Sequence, residues 1–577
     1  MLTTHLHLQH HPLLHLPTLL FLIPHLCHAR RPAPAPAPAP ACRSATAFAC
    51  RNPPFVPGHD LIGKGFDVVK LQTTGAFVVD VDRYQLHVSG NCTLCQNRLL
   101  GQEQKLPAAV ADWRVRVKCR RRLSERIYET GSAILERNDK AFHASAKVGL
   151  ALGNAAFLGG TRSKSSRFAR SHSTQDRYSF ATHQVSCRYY TLRLRDNPPL
   201  TRGFVTSLQT LPYAYAQSTA ASFRHFLSTY GTHYLRRVDL GGRVRSTTAV
   251  RTCETTVSGL SVHDVSNCLS TEAAAARSGP SARAQQRYCR AKARAFTRGR
   301  PFSAAFSDRV TEVLGGSGQL GDILFAPEKR ASYGTWVKSL KVAPGVVAFR
   351  LSPLHTLIDP RADPQRYYNL RSAIRDYVAR AGVGKACRGR CAAGRRDRNC
   401  ACKCNGHTSV DSNCCARKRG LARLSVVVRS AVALWGDYFS KTDGYVKVFY
   451  GRQRSTTPVI WNNNFPQWNF RVSFGTVDLL KNVSIRFEVW DRGNRWDDDL
   501  LGKFSLVPVR GVNVRRKFKL KHGALYASYS VVCAPSLAGS SCGSYSPSPA
   551  AHHVQAPLGY PSLTPHPSGN FWNNTFL

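Results

Sequence analysis

The sequence predicts an α+β protein that ends in an all-β sandwich, and three observations carry that reading. From about residue 55 to 385 short strands and helices interleave unevenly, without the β-α-β alternation of a parallel sheet. Between Cys387 and Cys415 seven cysteines fall in a run with almost no core residues. Beyond Arg417-Lys-Arg-Gly420 the apolar runs become short, alternating and evenly spaced. At 577 residues the chain is longer than one hydrophobic core usually supports, so several domains are expected.

Taken in order, residues 1–29 read as a secretory leader. Leu13 to Leu26 are mostly Leu, Phe and Ile, and Cys27-His28-Ala29 offers a small-residue cleavage site. Residues 30–41 carry an Ala-Pro repeat, an extended spacer with no packing role. No later stretch approaches the ~20 apolar residues of a membrane helix, so the mature protein is expected to leave the cell soluble. Residues 42–385, 386–416 and 417–535 then form three modules. The tail, 536–577, is rich in Ser, Pro, His and Gly and is expected to be loosely ordered.

Charge restricts the partners without choosing among them. The 81 Lys and Arg against 33 Asp and Glu give a formal +48, which would draw anionic lipid, nucleic acid or acidic glycans. Arginines spread over solvated faces are the plainer alternative. No nucleic-acid reader motif accompanies the charge, so no specific nucleic acid is expected. An enzyme is not expected either, because G-x-S-x-G, H-E-x-x-H and P-loop patterns are absent and His233 sits in a packing motif without a nucleophile.

Of the 19 cysteines, removal of Cys27 leaves 18, an even number suited to disulfides outside the cell. Cys42, Cys50, Cys92, Cys95, Cys119, Cys187, Cys253, Cys533 and Cys542 are candidates, with Cys387, Cys391, Cys400, Cys402, Cys404, Cys414 and Cys415 in the compact run. Cys268 and Cys289 fall, like Cys253, around the middle of the chain. A zinc site at Cys92-x-x-Cys95 would need a second ligand pair at finger spacing, which is missing. Asn91, Asn482 and Asn573 head glycosylation sequons.

Within the first module Phe55–Gly58, Gly63–Val68 and Gly75–Asp80 read as short strands, and Cys187–Arg195 alternates as a half-buried strand with Tyr190, Leu192 and Leu194 on one face. Helices are expected over 217–229 and 366–381. The central stretch is Tyr230-Gly231-Thr232-His233-Tyr234, at the end of a helix that carries Phe223, Phe226 and Leu227. It runs on through Asp239–Arg243 as a strand broken by Gly241 and Gly242, a bend or bulge. Two flanking segments, 141–180 and 262–300, are rich in small residues. From Ala274 to Ala284 the even positions are small or apolar while Arg277, Ser281 and Arg283 occupy odd ones. After Tyr288 the parity flips, with Ala291, Ala293 and Ala295 opposing Arg290, Lys292 and Arg294. A strand with one lipid face and one watery face has this pattern. Alanine and arginine are equally good helix formers, so a soluble monomer should keep the segment helical.

Tyr230–Tyr234 followed by Gly241-Gly242-Arg243 resembles the signature of the membrane attack complex/perforin family. Val313–Gly316, Asp322–Phe325, Tyr333–Trp336 and Pro353–Leu357 follow in that family's order. The resemblance implies a bent antiparallel sheet with flanking helical clusters. It further implies that the clusters unfurl into β-hairpins, which many subunits close into a transmembrane barrel; closure is required because unpaired edges cannot face hydrocarbon. Gly241 and Gly242 would be the hinge. The cysteine run resembles the family's EGF-like module. Its seven cysteines cannot all pair internally, so one should reach outward, with Cys253 as candidate partner.

The last module, with strands around 424–428, 445–450, 468–474 and 483–490, resembles a C2 domain, as does Asn462–Trp468. Two of its loops concentrate acid in a basic chain, where clustered carboxylates repel unless a cation holds them. Oxygen donors without nearby His or Cys favour calcium as cofactor. The resemblance carries Asp437, Asp443, Asp491, Asp498 and Asp499 onto calcium positions, with Asp497 adjacent and Gly436, Ser440 and Lys441 as backbone candidates. Gly493 stands where an acidic ligand is usual, which weakens a site or deletes one ion, with Asn494 as a partial substitute. Tyr438, Phe439 and Trp496 would sit in the membrane interface.

The implied protein is secreted, stored in acidic granules, binds phospholipid membrane through calcium, assembles as a homo-oligomeric ring or arc and inserts. Secreted granule proteins would be its cargo. A calcium-dependent adhesin that never forms pores is the alternative. Lumen-facing Arg277, Arg283, Arg290 and Arg294 would favour anions.

Overall fold

The computed structural model of the chain describes residues 42–548, except 87–89, 120–122, 135, 138–156, 159–162, 279–282, 318–321, 326–329, 382, 385–390, 392–393, 398–400, 407, 437 and 494–496. The leader, the Ala-Pro spacer, Cys387, Cys400, Asp437, Asn494, Trp496, Asn573 and much of segment 141–180 lie outside the described residues, as does the side chain of Arg277.

Strands of the first module are β1 (Cys42–Ala45), β2 (Lys64–Asp67), β3 (Gln72–Phe77), β4 (Cys92–Asn97), β5 (Gln102–Leu106), β6 (Val110–Cys119), β7 (Ser124–Tyr128), β8 (Phe157–Leu158), β9 (Tyr178–Leu194), β10 (His233–Arg251), β11 (Arg309–Leu314) and β12 (Gly345–Pro353). A small sheet, β1-β4-β5, is stapled by Cys42–Cys95 and Cys50–Cys92. Both cysteines of the Cys92-x-x-Cys95 motif are thereby taken up in disulfides.

The main sheet runs β3-β2-β10-β9-β6, with β12 and β11 both on β10 and β7 on β9. Along β10, β12 pairs with His233–Gly241 and β11 takes over at Arg243–Thr248. Along β9, β7 pairs with Phe180–Gln184 and β6 with Cys187–Leu194. Both long strands therefore change partners at one level, where a register shift separates Leu240 from Gly241. A bulge at such a point turns the sheet. Tyr190, Leu192, Leu235, Val238, Leu240 and Val244 are buried on it and form the centre of the larger core. The helices Arg202–Gln209, Ala220–Tyr230 and Pro364–Ala381 cover its upper half, packing Phe204, Phe223, Phe226 and Ile374.

Two short ladders follow: β13 (Val383–Gly384) pairs with β8, and in the cysteine module β14 (Arg395–Arg396) pairs with β15 (Cys402–Lys403). Cys391–Cys402 and Cys404–Cys414 close the module, and Cys415 is bonded to Cys253 just beyond β10. The sandwich contains β16 (Leu421–Val432), β17 (Gly444–Tyr450), β18 (Gln453–Thr456), β19 (Gln467–Asp478), β20 (Ile485–Asp491), β21 (Asp499–Leu506), β22 (Gly511–Lys519) and β23 (Ala524–Cys533). Its two sheets, β19-β16-β23-β22 and β18-β17-β20-β21, enclose Val426, Val428, Val446, Val448, Phe487 and Leu525. Each such side chain contributes about 1.5–3 kcal/mol by burial.

Two expectations are corrected. Phe55–Gly58 is no strand; it makes a single bridge from Phe55 to Lys105. Pro57 has no N–H for a ladder, and Gly58, at φ 78°, turns the chain into a short 3₁₀ segment. The start of the tail is ordered rather than loose. Leu537–Ala538 pairs with Ser544–Tyr545, Cys533 is bonded to Cys542, and the Tyr545 hydroxyl donates to buried Asp176 at 2.5 Å. A nine-residue disulfide loop and a buried acceptor hold a segment whose composition alone lacks a core.

Candidate functional site

At one end of the sandwich the ladders bring acids together. Gly444 opposes Asp491, and Asp491 opposes Asp499, so Asp443, Asp491 and Asp499 come from three neighbouring chain segments. Asp491 is buried, and its Oδ1 accepts from the Asp443 amide at 2.6 Å. Asp443 Oδ1 accepts from the Asn462 amide at 2.6 Å. Asp498 accepts the Tyr445 hydroxyl at 2.5 Å and faces the Arg492 guanidinium at 3.9 Å. Burial, and after it the hydrogen bond to Asp498, pushes the Tyr445 hydroxyl up to about 12. Asp497, Asp499, Ser440 and Lys441 are exposed.

The first loop lies directly on the buried carboxylate, since a Cβ at Gly436 would sit 1.7 Å from Asp491 Oδ2. Glycine there is what lets backbone and carboxylate share the space. The departure at Gly493 has a similar account: its Cβ would lie 1.8 Å from the Asp497 carbonyl oxygen, so in this loop conformation an aspartate does not fit. Among the described residues no three Asp, Glu, His or Cys side chains converge closely enough to hold an ion as they stand. The donor chemistry nevertheless suits a hard cation: every candidate is a carboxylate or backbone oxygen, and the Gly436 backbone is cradled against Asp491.

Exposed aromatics surround this acid. Tyr438 and Phe439 lie in the first loop, while Trp461 and Phe465 project from the turn before β19. That turn is braced on the first loop, for Asn463 donates to the Thr442 carbonyl at 2.9 Å and the Thr442 amide donates to Asn464 at 2.9 Å. Sequence reasoning missed Trp461 and Phe465, although Phe465 lies inside the Asn462–Trp468 motif and Trp461 directly precedes it.

In the first module the signature stretch is a packing device. Gly231 takes φ 78°, and a Cβ there would meet the Phe66 backbone at 2.6 Å. The Thr232 hydroxyl donates to the Phe66 carbonyl at 3.2 Å and accepts from the Val68 amide at 3.3 Å, while His233 Nδ1 lies 2.9 Å from it. Tyr230 and Tyr234 are buried, the first bonding Ser207 at 3.1 Å through its hydroxyl. Burial drives His233 down to about 3, with His355 adding to the effect. At the bend, a Cβ on Gly241 would meet the Cys187 carbonyl oxygen at 2.0 Å, and one on Gly242 would meet Leu340 at 2.5 Å and Trp336 at 2.6 Å. Trp336 is itself fixed by its indole N–H to the Gly315 carbonyl at 2.7 Å.

Below the bend, four strands lie in the order β7-β9-β10-β11. The chain between β7 and β9 includes the helix Lys164–Ser173; that between β10 and β11 includes the helices Val262–Ser278 and Arg283–Phe296. These helices rest on the sheet through a few buried apolar side chains, Ala169, Val265 and Leu269 among them, and through polar contacts. Ser266 and Ser270 donate to Glu125, His183 Nε2 lies 3.1 Å from the Ser266 carbonyl, and His172 Nε2 lies 2.7 Å from Asp308. Glu272 accepts from the amides of Phe302 and Ser303 at 2.7 and 2.8 Å. Cys268 is bonded to Cys289, joining the second pair of helices; the sequence assigns these two cysteines no role. Cys119–Cys187 ties β6 to β9 at the bend. Arg283, Arg290 and Arg294 are exposed, as are Asn91 and Asn482.

Known families match both modules: the MAC/Perforin domain over residues 52–386 and the C2 domain over residues 422–517. Perforin-1 of Homo sapiens is 37% identical over 524 residues, covering 88% of this chain and 93% of that protein. Perforin-1 of Rattus norvegicus is 36% identical over 522 residues with the same coverage, 88% and 93%. The complement component C8 alpha chain of Oryctolagus cuniculus is 24% identical over 324 residues, covering 50% of this chain and 55% of that one.

Proposed function

This chain belongs to the membrane attack complex/perforin family, and we propose that it is a secreted cytolytic protein that binds membrane through its C2 tip in calcium, assembles into rings or arcs and inserts β-hairpins from both helical clusters. One observation carries the reading. Each cluster is the connection between two strands already paired antiparallel, β7 with β9 and β10 with β11, and β9 pairs with β10. Extension of those strands through the clusters would produce four contiguous spanning strands without any change of order. Their outer edges would then require neighbouring subunits, because hydrocarbon tolerates no unpaired edge.

Asp443, Asp491, Asp498 and Asp499 are the described residues that would hold calcium, which when bound supplies positive charge where the carboxylates otherwise repel anionic headgroups. Tyr438, Phe439, Trp461 and Phe465 then meet the interface, an environment aromatic side chains favour. Storage in acidic granules fits a site built from carboxylates, since protons compete with a cation for the same oxygens.

The test is the purified full chain on dye-loaded anionic vesicles, with and without calcium, imaged by electron microscopy. Rings with dye release support the pore. Bound monomers that release no dye make the protein an adhesin, and undiminished binding in chelator removes the calcium step.

A further inference from the structure

We propose that the Cys268–Cys289 disulfide is a register clamp at the base of the second inserting hairpin, a positioning device that stays closed through insertion; the proposal rests on the pore-forming reading above. Both cysteines are buried between the helices Val262–Ser278 and Arg283–Phe296, with their Cα atoms 5.5 Å apart. That separation already equals the spacing of directly opposed residues in an antiparallel pair, about 5.5 Å. The bond therefore suits a hairpin as well as a helix pair.

Its position along the chain is informative. The sequence separation of 21 leaves twenty residues between the cysteines, ten on either side of the Ser278–Gly279 bond. Serine followed by glycine is a turn dipeptide, and about 9–11 residues is what a tilted β-strand needs to cross a bilayer. The clamp would close a loop of one membrane crossing in each direction.

The side-chain pattern supports the same register. With Cys268 opposite Cys289, Leu269 faces Tyr288, Thr271 faces Gln286, Ala273 faces Ala284, Ala275 faces Ala282 and, next to the turn, Arg277 faces Pro280, all on one surface. The other surface pairs Ser270 with Arg287, Glu272 with Gln285 and Ala274 with Arg283. The first surface is small or apolar through its middle, with Tyr288, Thr271 and Gln286 towards its base and Arg277 beside the turn, near the two interfaces where polar groups are tolerated, while the other carries Arg287, Gln285, Glu272 and Arg283 along its length. Because side chains alternate with period two, a slip of one residue would bring Arg283 and Arg287 onto the surface carrying Leu269, Ala273 and Ala275. The parity flip after Tyr288 begins where the clamp ends, so the clamp sets the register of the stretch it closes, whose two arms alternate together.

The experiment compares the full chain with Cys268→Ser/Cys289→Ser on dye-loaded anionic vesicles in calcium, with circular dichroism and vesicle binding as checks on folding. The expected result is normal binding and rings for the double variant, with dye release lower by about tenfold or more. In pores of the unmodified protein, thiol labelling after denaturation should find both cysteines still bonded. Should the double variant not fold, a polarity-sensitive dye on single cysteines in the otherwise unmodified chain reads the register directly. Ala275→Cys and Ala284→Cys should both report lipid on insertion, and Ala274→Cys and Arg283→Cys both water. Native release by the folded double variant, free thiols at 268 and 289 in pores, or Ala275 and Ala284 in different environments would each overturn the clamp while leaving the pore in place. Binding without release by the unmodified chain would instead remove the pore reading, and the clamp with it.

Discussion

Two buried histidines should make the first module lose stability in acid, and the loss can be estimated. His233, in the signature stretch, and His355, beside Tyr367, are both buried. Burial pushes His233 down to about 3, aided by His355, and pushes His355 down to about 4, aided by the Arg371 guanidinium. In the unfolded chain each would titrate near ~6.5. Between that value and the folded ones the unfolded state binds the extra protons, so stability is fully present above pH ~6.5 and declines as pH falls. At pH 5.0 each histidine should cost about 2 kcal/mol relative to pH 7.5, or about 4 kcal/mol together. Against a typical total of ~5–15 kcal/mol that is a large share. Buried His183 acts in the same direction. The assay is denaturant unfolding at pH 7.5 and 5.0, on the native chain and on His233→Gln/His355→Gln. The double variant should be weaker at pH 7.5 yet lose about 4 kcal/mol less than the native chain on acidification. An equal loss in both proteins would refute the assignment.

Three further outcomes are expected. Asp491→Ala removes the carboxylate that binds the Asp443 amide and underlies Gly436; calcium-dependent vesicle binding should fall by at least about tenfold, measured by co-sedimentation. Gly242→Leu places a side chain into Leu340 and Trp336. The overpacking should cost about 1–3 kcal/mol by thermal unfolding and abolish dye release while leaving vesicle binding in place. Arg290→Glu/Arg294→Glu reverses exposed charge on the second cluster. If those positions line the lumen, reversal potentials in planar bilayers should move from anion towards cation preference.

What could be read from the residues alone was whatever declares itself locally. Acid clustered in a basic chain is conspicuous, and Asp443, Asp491 and Asp499 lie on neighbouring segments at one end of the sandwich; the alternation of Cys187–Arg195 marks a strand, and β9 runs through it to Leu194. Trp461 and Phe465 were not legible as interface residues, because an aromatic in a turn looks the same in sequence whether it packs inward or projects outward. The Cys268–Cys289 bond was not legible either, since pairing is a fact of tertiary proximity. Gly493 looked like a lost ligand, and only the Asp497 carbonyl 1.8 Å from its would-be Cβ explains why the loop excludes a side chain there. Ala- and Arg-rich composition allowed helix and strand alike over 262–300, and helices are found at Val262–Ser278 and Arg283–Phe296.

That ambiguity has a physical side. Helix Val262–Ser278 buries Val262, Val265 and Leu269 as its large aliphatics, and helix Arg283–Phe296 buries only Cys289 and Ala293 among its described side chains. At about 1.5–3 kcal/mol for each large aliphatic, lifting the pair from the sheet forfeits roughly 5–9 kcal/mol of burial. The sheet strands themselves bury far more and are locked by Tyr190, Leu192, Leu240 and Val244. The small buried side chains Cys268, Ala273, Cys289 and Ala293 add less each, and the polar contacts of the cluster, Ser266 and Ser270 on Glu125 and Glu272 on two amides, can be exchanged for water. A cluster held this way can leave while the sheet stays folded, and the strand pairs β7-β9 and β10-β11 then offer a template for the released chain. The same small side chains that hold the cluster weakly to the sheet are those that a lipid-facing strand can carry, so one composition serves both states.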